Sequence, residues 1–128
     1  MLDDTATQQH NEVEKIMKVI TKEIEKMLRA NAKLEGVDYA DLEPVVKLFQ
    51  PDGAATMLLS TLDDDGVVQG VFDLGLGYVE MGPAYLPEIL AVKGGLGLSI
   101  ERDTSFKAEK TVAQYWSDSQ ATQTLEAY

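Results

Sequence analysis

At 128 residues, with 45% hydrophobic and 26% charged residues, the chain has the length and balance of one globular domain around a single core. It contains no cysteine, which excludes disulfide scaffolds, thiolate metal sites and cysteine nucleophiles. The net charge of -11 is uneven: residues 1–33 hold six of the 11 bases and six of the 22 acids, leaving five bases and sixteen acids for residues 34–128. That acidic part repels phosphate backbones, so direct binding of nucleic acid is not expected, whereas a basic protein surface would be attracted. Surplus acid also keeps a small protein soluble. No apolar run approaches the roughly 20 residues needed to span a bilayer. The start, Met1-Leu2-Asp3-Asp4, lacks the order of a signal peptide. A cytoplasmic protein without membrane contact is expected.

Residues 1–10 are polar and read as a flexible N-terminus, and the lone His10 there has no neighbour to orient it for catalysis. Asn11 to Leu34 lacks Gly and Pro and reads as one long helix. Val13, Met17, Ile20, Ile24, Met27, Asn31 and Leu34 recur at alternating spacings of four and three, with the bases on the opposite face. This stripe can pack on the protein's own sheet, or residues 11–34 can pair with a second copy as a homodimer.

Residues 35–43 form a connector dense in acid, and Val45 to Phe49 is a first, β-branched strand. The turn Gln50-Pro51-Asp52-Gly53 leads to a second strand, Ala54 to Leu62. Asp63-Asp64-Asp65-Gly66 is a hairpin turn, and Val67 to Leu74 is the third strand. Gly75-Leu76-Gly77 bends the chain into a short fourth strand, Tyr78 to Met81, which Gly82-Pro83 ends. Tyr85 to Val92 reads as a short helix with Pro87 in its first turn. Leu96 to Glu101 alternates as a last strand with Leu96, Leu98 and Ile100 on one face, and Glu109 to Trp116 as a terminal helical segment. Together these give an α+β fold: a long N-terminal helix, a mostly antiparallel sheet of about four strands, a short helix and a C-terminal helical segment. Residues 11–116 form one domain, followed by a polar tail over 117–128.

Few motifs carry chemistry. Neither Gly75-Leu76-Gly77 nor Gly94-Gly95-Leu96-Gly97 fits a dinucleotide or phosphate loop. Asp63-Asp64-Asp65-Gly66 lacks calcium-loop spacing, because the position of the bidentate acid is Phe72. No cofactor or metal is implied. Asp73, Glu80, Glu101 and Asp103 could converge as acid–base carboxylates of a small hydrolase or metal-dependent enzyme, although Glu101-Arg102-Asp103 also suits an ion-pair network at a strand end. Tyr78, Tyr85, Tyr115 and Trp116 lack interleaved bases and suit core packing better than base stacking.

Pro44-Val45-Val46-Lys47-Leu48-Phe49-Gln50-Pro51, Ala54-Ala55-Thr56, Phe72-Asp73-Leu74-Gly75-Leu76-Gly77 and Leu96-Gly97-Leu98-Ser99-Ile100-Glu101-Arg102-Asp103 occur in that order. As a set they resemble a bacterial family of small domains of unknown function carried on plasmids, conjugative elements and phages. The resemblance covers roughly residues 20–116; it departs in the preceding extension and at Met57, where a tryptophan would be expected. It implies an α+β fold and a mobile-element origin, and no enzymatic activity. The expectation for function is a non-enzymatic accessory protein that binds a basic surface of a host protein. Its most concrete form is an anti-defence, anti-CRISPR-like inhibitor that mimics nucleic acid. The binding residues expected are Glu35, Asp38, Asp41, Glu43, Asp63, Asp64 and Asp65.

Overall fold

A computed structural model describes residues 18–127. Among these, helix α1 spans Lys22–Ala32, strands β1 to β4 span Val46–Phe49, Thr56–Leu62, Val67–Asp73 and Val79–Tyr85, and helix α2 spans Leu86–Ala91. Strand β5, Glu101–Arg102, and helix α3, Val112–Ser119, complete the α+β fold. The sheet is antiparallel with order β4-β3-β2-β1-β5, so it has five strands rather than four.

The central strand β2 is buried along nearly its whole length because both faces of the sheet are covered. On one face Val46, Leu48, Met57, Leu59, Leu62 and Val68 pack with Leu28 of α1 and Leu86, Ile89 and Leu90 of α2. On the other, Leu58, Val71 and Val79 pack with Val112 and Tyr115 of α3 and with Leu125 and Ala127. Leu59 and Leu62 could not share a face in a regular strand, where sides alternate. A bulge between Leu59 and Thr61 resets the alternation. Its extra residue, Ser60, joins the layers: its carbonyl accepts from Asn31 Nδ2 of α1 at 2.9 Å, and its hydroxyl lies 3.3 Å from the carbonyls of Tyr39 and Gln69.

The first helix is interrupted. Thr21 is extended and caps α1 with its side chain on the Ile24 N–H, so Ile20 and α1 do not form one continuous helix. The part of the expected helix over residues 11–17 lies outside the described residues. Within α1 the buried residue is Leu28, whereas Met27 and Leu34 are exposed; Ile20, Ile24 and Asn31 face the protein's own sheet.

Gly82-Pro83 does not end β4 but lies inside it. Leu86 N–H donates to the Gly66 carbonyl, so hydrogen-bonded pairs fall at the even positions of β4 and Pro83 turns its missing N–H to the free edge. Val79, also facing that edge, is covered by Gln123 Oε1 on its N–H and Trp116 Nε1 on its carbonyl. Both devices blunt an edge strand against adventitious pairing. The expected strand Leu96 to Glu101 is instead a tight loop before the two-residue β5, because Asp52 Oδ2 accepts from the N–H groups of Leu96 and Leu98 at 2.7 and 3.2 Å. Leu96 is therefore 82% exposed, and Ile100 alone of its alternating set is buried. Tyr78 and Tyr85, expected in the core, are also exposed.

Gly70 faces the bulge, and a Cβ there would stand 1.9 Å from the Leu58 carbonyl oxygen, which backbone pairing holds in place. Gly70→Ala is expected to destabilise the protein by about 2 kcal/mol or more in urea unfolding, as overpacking against rigid backbone does. Gly95→Ala, which meets nothing within 4 Å, should change stability by less than about 0.5 kcal/mol.

Candidate functional site

The two ends of the sheet differ in chemistry. At the end where β2 turns into β3, the hairpin Asp63–Gly66 meets the C-terminus of α1 and the connector that follows it. The connector crosses to the opposite face through a 3₁₀ turn, Tyr39–Asp41, which packs on β2, β3 and α3. All seven acids expected to bind a partner lie at this end. Glu35, Asp41, Glu43, Asp64 and Asp65 are exposed, and Asp38 is exposed while capping the 3₁₀ turn through the Ala40 N–H at 3.0 Å.

Asp63 has a different task. Its Oδ1 accepts from the N–H groups of Asp65 and Val67, both at 2.9 Å, which closes the hairpin turn. Among the bases at this end, Arg29 pairs with Glu25 at 3.0 Å, donates to the Asp63 carbonyl and stands 3.7 Å from Asp64. Glu43 shares a shallow groove with Lys107. Burial, and then the neighbouring Asp38 charge, push the Tyr39 phenol above its ordinary value, so it stays a neutral hydroxyl among these acids.

Asp73, Glu80, Glu101 and Asp103 do not converge. Glu80 and Glu101 sit on the opposite edge strands, four strand spacings or about 19 Å apart. Asp73 faces away from Glu80 and is only 6% exposed; its carboxylate accepts from the Gly75 N–H at 2.9 Å and the Leu125 N–H at 3.0 Å. It is a clamp that fixes the Gly75 turn and draws the C-terminal tail onto the sheet. Asp103 pairs with Lys47 at 3.4 Å, and Lys47 also donates to the Ala127 carbonyl at 2.6 Å. Arg102 points to the other face and donates to the Val19 carbonyl, so the expected network among Glu101, Arg102 and Asp103 is not formed. Among the described residues no three Asp, Glu, His or Cys side chains gather as a metal site would require. No helix among them is long and apolar enough to cross a membrane.

The opposite end is glycine-rich and apolar. Gly75 and Gly77 have φ of 77° and 91°, the left-handed conformation that lets the loop turn, and the loop holds Leu74 and Leu76 in solvent. Beside them an open groove of about 370 Å³ runs between β4 and α2, floored by Met57, Phe72 and Ile89 and flanked by Glu80 and Glu88. Sequence reasoning missed this groove and the Asp52 clamp. Both depend on loops distant in the chain meeting at one end of the sheet, and only the glycines hinted at close backbone approach.

The fold and its surfaces define a small α+β protein whose five-stranded antiparallel sheet lies between two helical layers and carries acid at one end and leucines at the other. A model of the family described as protein of unknown function (DUF2958) matches residues 19–125, and the chain belongs to that family. No curated protein and no solved structure matches the chain.

Asp73→Asn should cost about 2 kcal/mol, because an amide can accept only one of the two N–H groups. Amide exchange at Leu125 should accelerate with it. The Ser105 N–H first, and then Lys47, hold the Asp103 carboxyl below its ordinary value. A depressed folded pKa gives stability that is present above the unfolded value of about 3.9 and lost as pH falls through the folded one. The stability gap between wild type and Asp103→Asn should therefore shrink as pH falls below the unfolded value of about 3.9 in urea titrations.

Proposed function

We propose that this is a non-enzymatic accessory protein of a mobile genetic element that acts by binding a host protein, its acid-bearing end docking on a basic, nucleic-acid-binding surface. An anti-defence inhibitor is the form of action this chemistry suits. The observation that carries the reading is the placement of Glu35, Asp38, Asp41, Glu43, Asp64 and Asp65 as exposed carboxylates at one end of the sheet. They belong to a part of the chain with sixteen acids and five bases.

Exposed carboxylates in such a field steer a basic partner toward the end that carries them and make association strongly salt-dependent. The turn and cap that Asp63 and Asp38 complete give the neighbouring acids a fixed backbone, so less order has to be gained on binding. The scattered positions of Asp73, Glu80, Glu101 and Asp103 favour binding over acid–base chemistry by that quartet.

The test is affinity capture from bacterial lysate at low and high salt, with identification by mass spectrometry. A basic nucleic-acid-binding protein is expected at low salt and should be lost near 1 M salt, where the Debye length falls to about 3 Å. Replacing Asp41, Glu43, Asp64 and Asp65 by their amides should weaken capture on the order of tenfold while leaving the melting temperature nearly unchanged, since none of the four side chains holds a backbone group. Recovery of chaperones alone under both conditions would sink the reading.

A further inference from the structure

We infer that the groove between β4 and α2 is a second binding surface, one that takes an extended segment of a protein partner carrying an apolar side chain next to a lysine or arginine. The inference shares with the proposed function the premise that the protein works by binding another protein. The surface itself lies at the other end of the sheet.

The groove has the size and lining of a ligand site: about 370 Å³, with apolar side chains covering most of its wall. Met57 and Ile89 are buried beneath it, and Phe72 packs against them from β3. Its rim is apolar as well: Leu74 and Val92, both exposed, line it. Leu76, 63% exposed, continues the apolar surface on the adjoining loop. Contiguous exposed apolar side chains around a concave surface mark an interaction site, whereas single exposed leucines do not.

Charge selects the occupant. Glu80 and Glu88 are the charged residues that line the groove, one on β4 and one on α2, and no base lines it. Among the described residues neither carboxylate takes part in an ion pair. An uncharged apolar segment would leave both acids desolvated and unmatched at the contact, and an acidic one would be repelled. A segment that buries an apolar side chain against Met57 and Ile89 and directs an ammonium or guanidinium between the two carboxylates satisfies both. The occupant would not extend the sheet as a sixth strand, because Pro83 and the covered Val79 deny β4 a regular outward ladder. It would lie on the face, held by side chains.

The probe is a labelled peptide of alternating leucine and lysine, titrated into the full chain enriched in nitrogen-15, with a leucine–glutamate peptide as control. Amide shifts should move at Phe72, Leu74, Glu80, Glu88 and Val92 and saturate, and the acidic peptide should leave them in place. Glu80→Gln with Glu88→Gln should weaken the basic peptide about three- to tenfold. Val92→Ser, which removes apolar surface at an exposed position and adds no charge, should weaken it without unfolding the protein. Amide replacement of Asp41, Glu43, Asp64 and Asp65 should leave shifts at the groove intact, which separates this surface from the acid-bearing end. Shifts confined to residues 35–43 and 63–65, equal binding of the acidic peptide, unchanged affinity in the groove variants, or no binding at all would each overturn the assignment.

Discussion

The bulge at Ser60 is the constraint on which the rest of the structure depends. A central strand with both faces covered must present apolar side chains to two layers at once. A regular strand would send Leu59 and Leu62 to opposite faces; one extra residue lets both meet α1. The inserted residue leaves its carbonyl without a ladder partner, and Asn31 of α1 supplies one, while the Ser60 hydroxyl ties the Tyr39 carbonyl to the same point. Leaving that buried carbonyl unpaired would cost about 1–3 kcal/mol. The bulge thus sets where α1 and the 3₁₀ turn sit, and Gly70 opposite it is the residue that makes room.

From that arrangement the two ends of the sheet acquire different characters. The connector has to pass from one face to the other beside the bulge, which carries its acids to the same end as the β2–β3 turn. At the far end, three loops meet under two carboxylate clamps: Asp73 binds Gly75 and Leu125, and Asp52 binds Leu96 and Leu98. Each clamp ties a loop down by its backbone and leaves leucines in water. A carboxylate spent on backbone N–H groups is a poor candidate for catalysis, and two of the sixteen acids after residue 33 are accounted for in this way. Asp38, Asp63 and Asp103 also accept backbone N–H groups, so a high acid count overstates how many carboxylates stand unengaged in solvent.

Much of the architecture could be read along the chain because it rests on local rules. Turn chemistry at Asp63–Gly66, the apolar run of β2, the valines of β3, and Pro87 in the first turn of α2 each place an element within one or two residues of its true bounds. Misreadings arose where a distant contact outweighed a local preference. Gly82-Pro83 breaks most strands, yet an edge strand with its odd positions facing outward tolerates it. The alternation Leu96, Leu98, Ile100 mimics a strand, but Asp52, more than forty residues away, folds it into a loop.

Composition and periodicity alone therefore set the fold class and the acidic excess after residue 33, because these depend on burial, turn preference and charge, which each residue carries with it. Tertiary contact decided which carboxylates hold the backbone and which stay in solvent, since Asp63, Asp64 and Asp65 are chemically identical until a backbone N–H reaches one of them. It also decided that the Asp73–Gly77 stretch, the most conspicuous in the chain, serves as a clamp and a rim. The glycines announced a turn; the groove beside it exists only because β4, α2 and three loops close around the same end of the sheet.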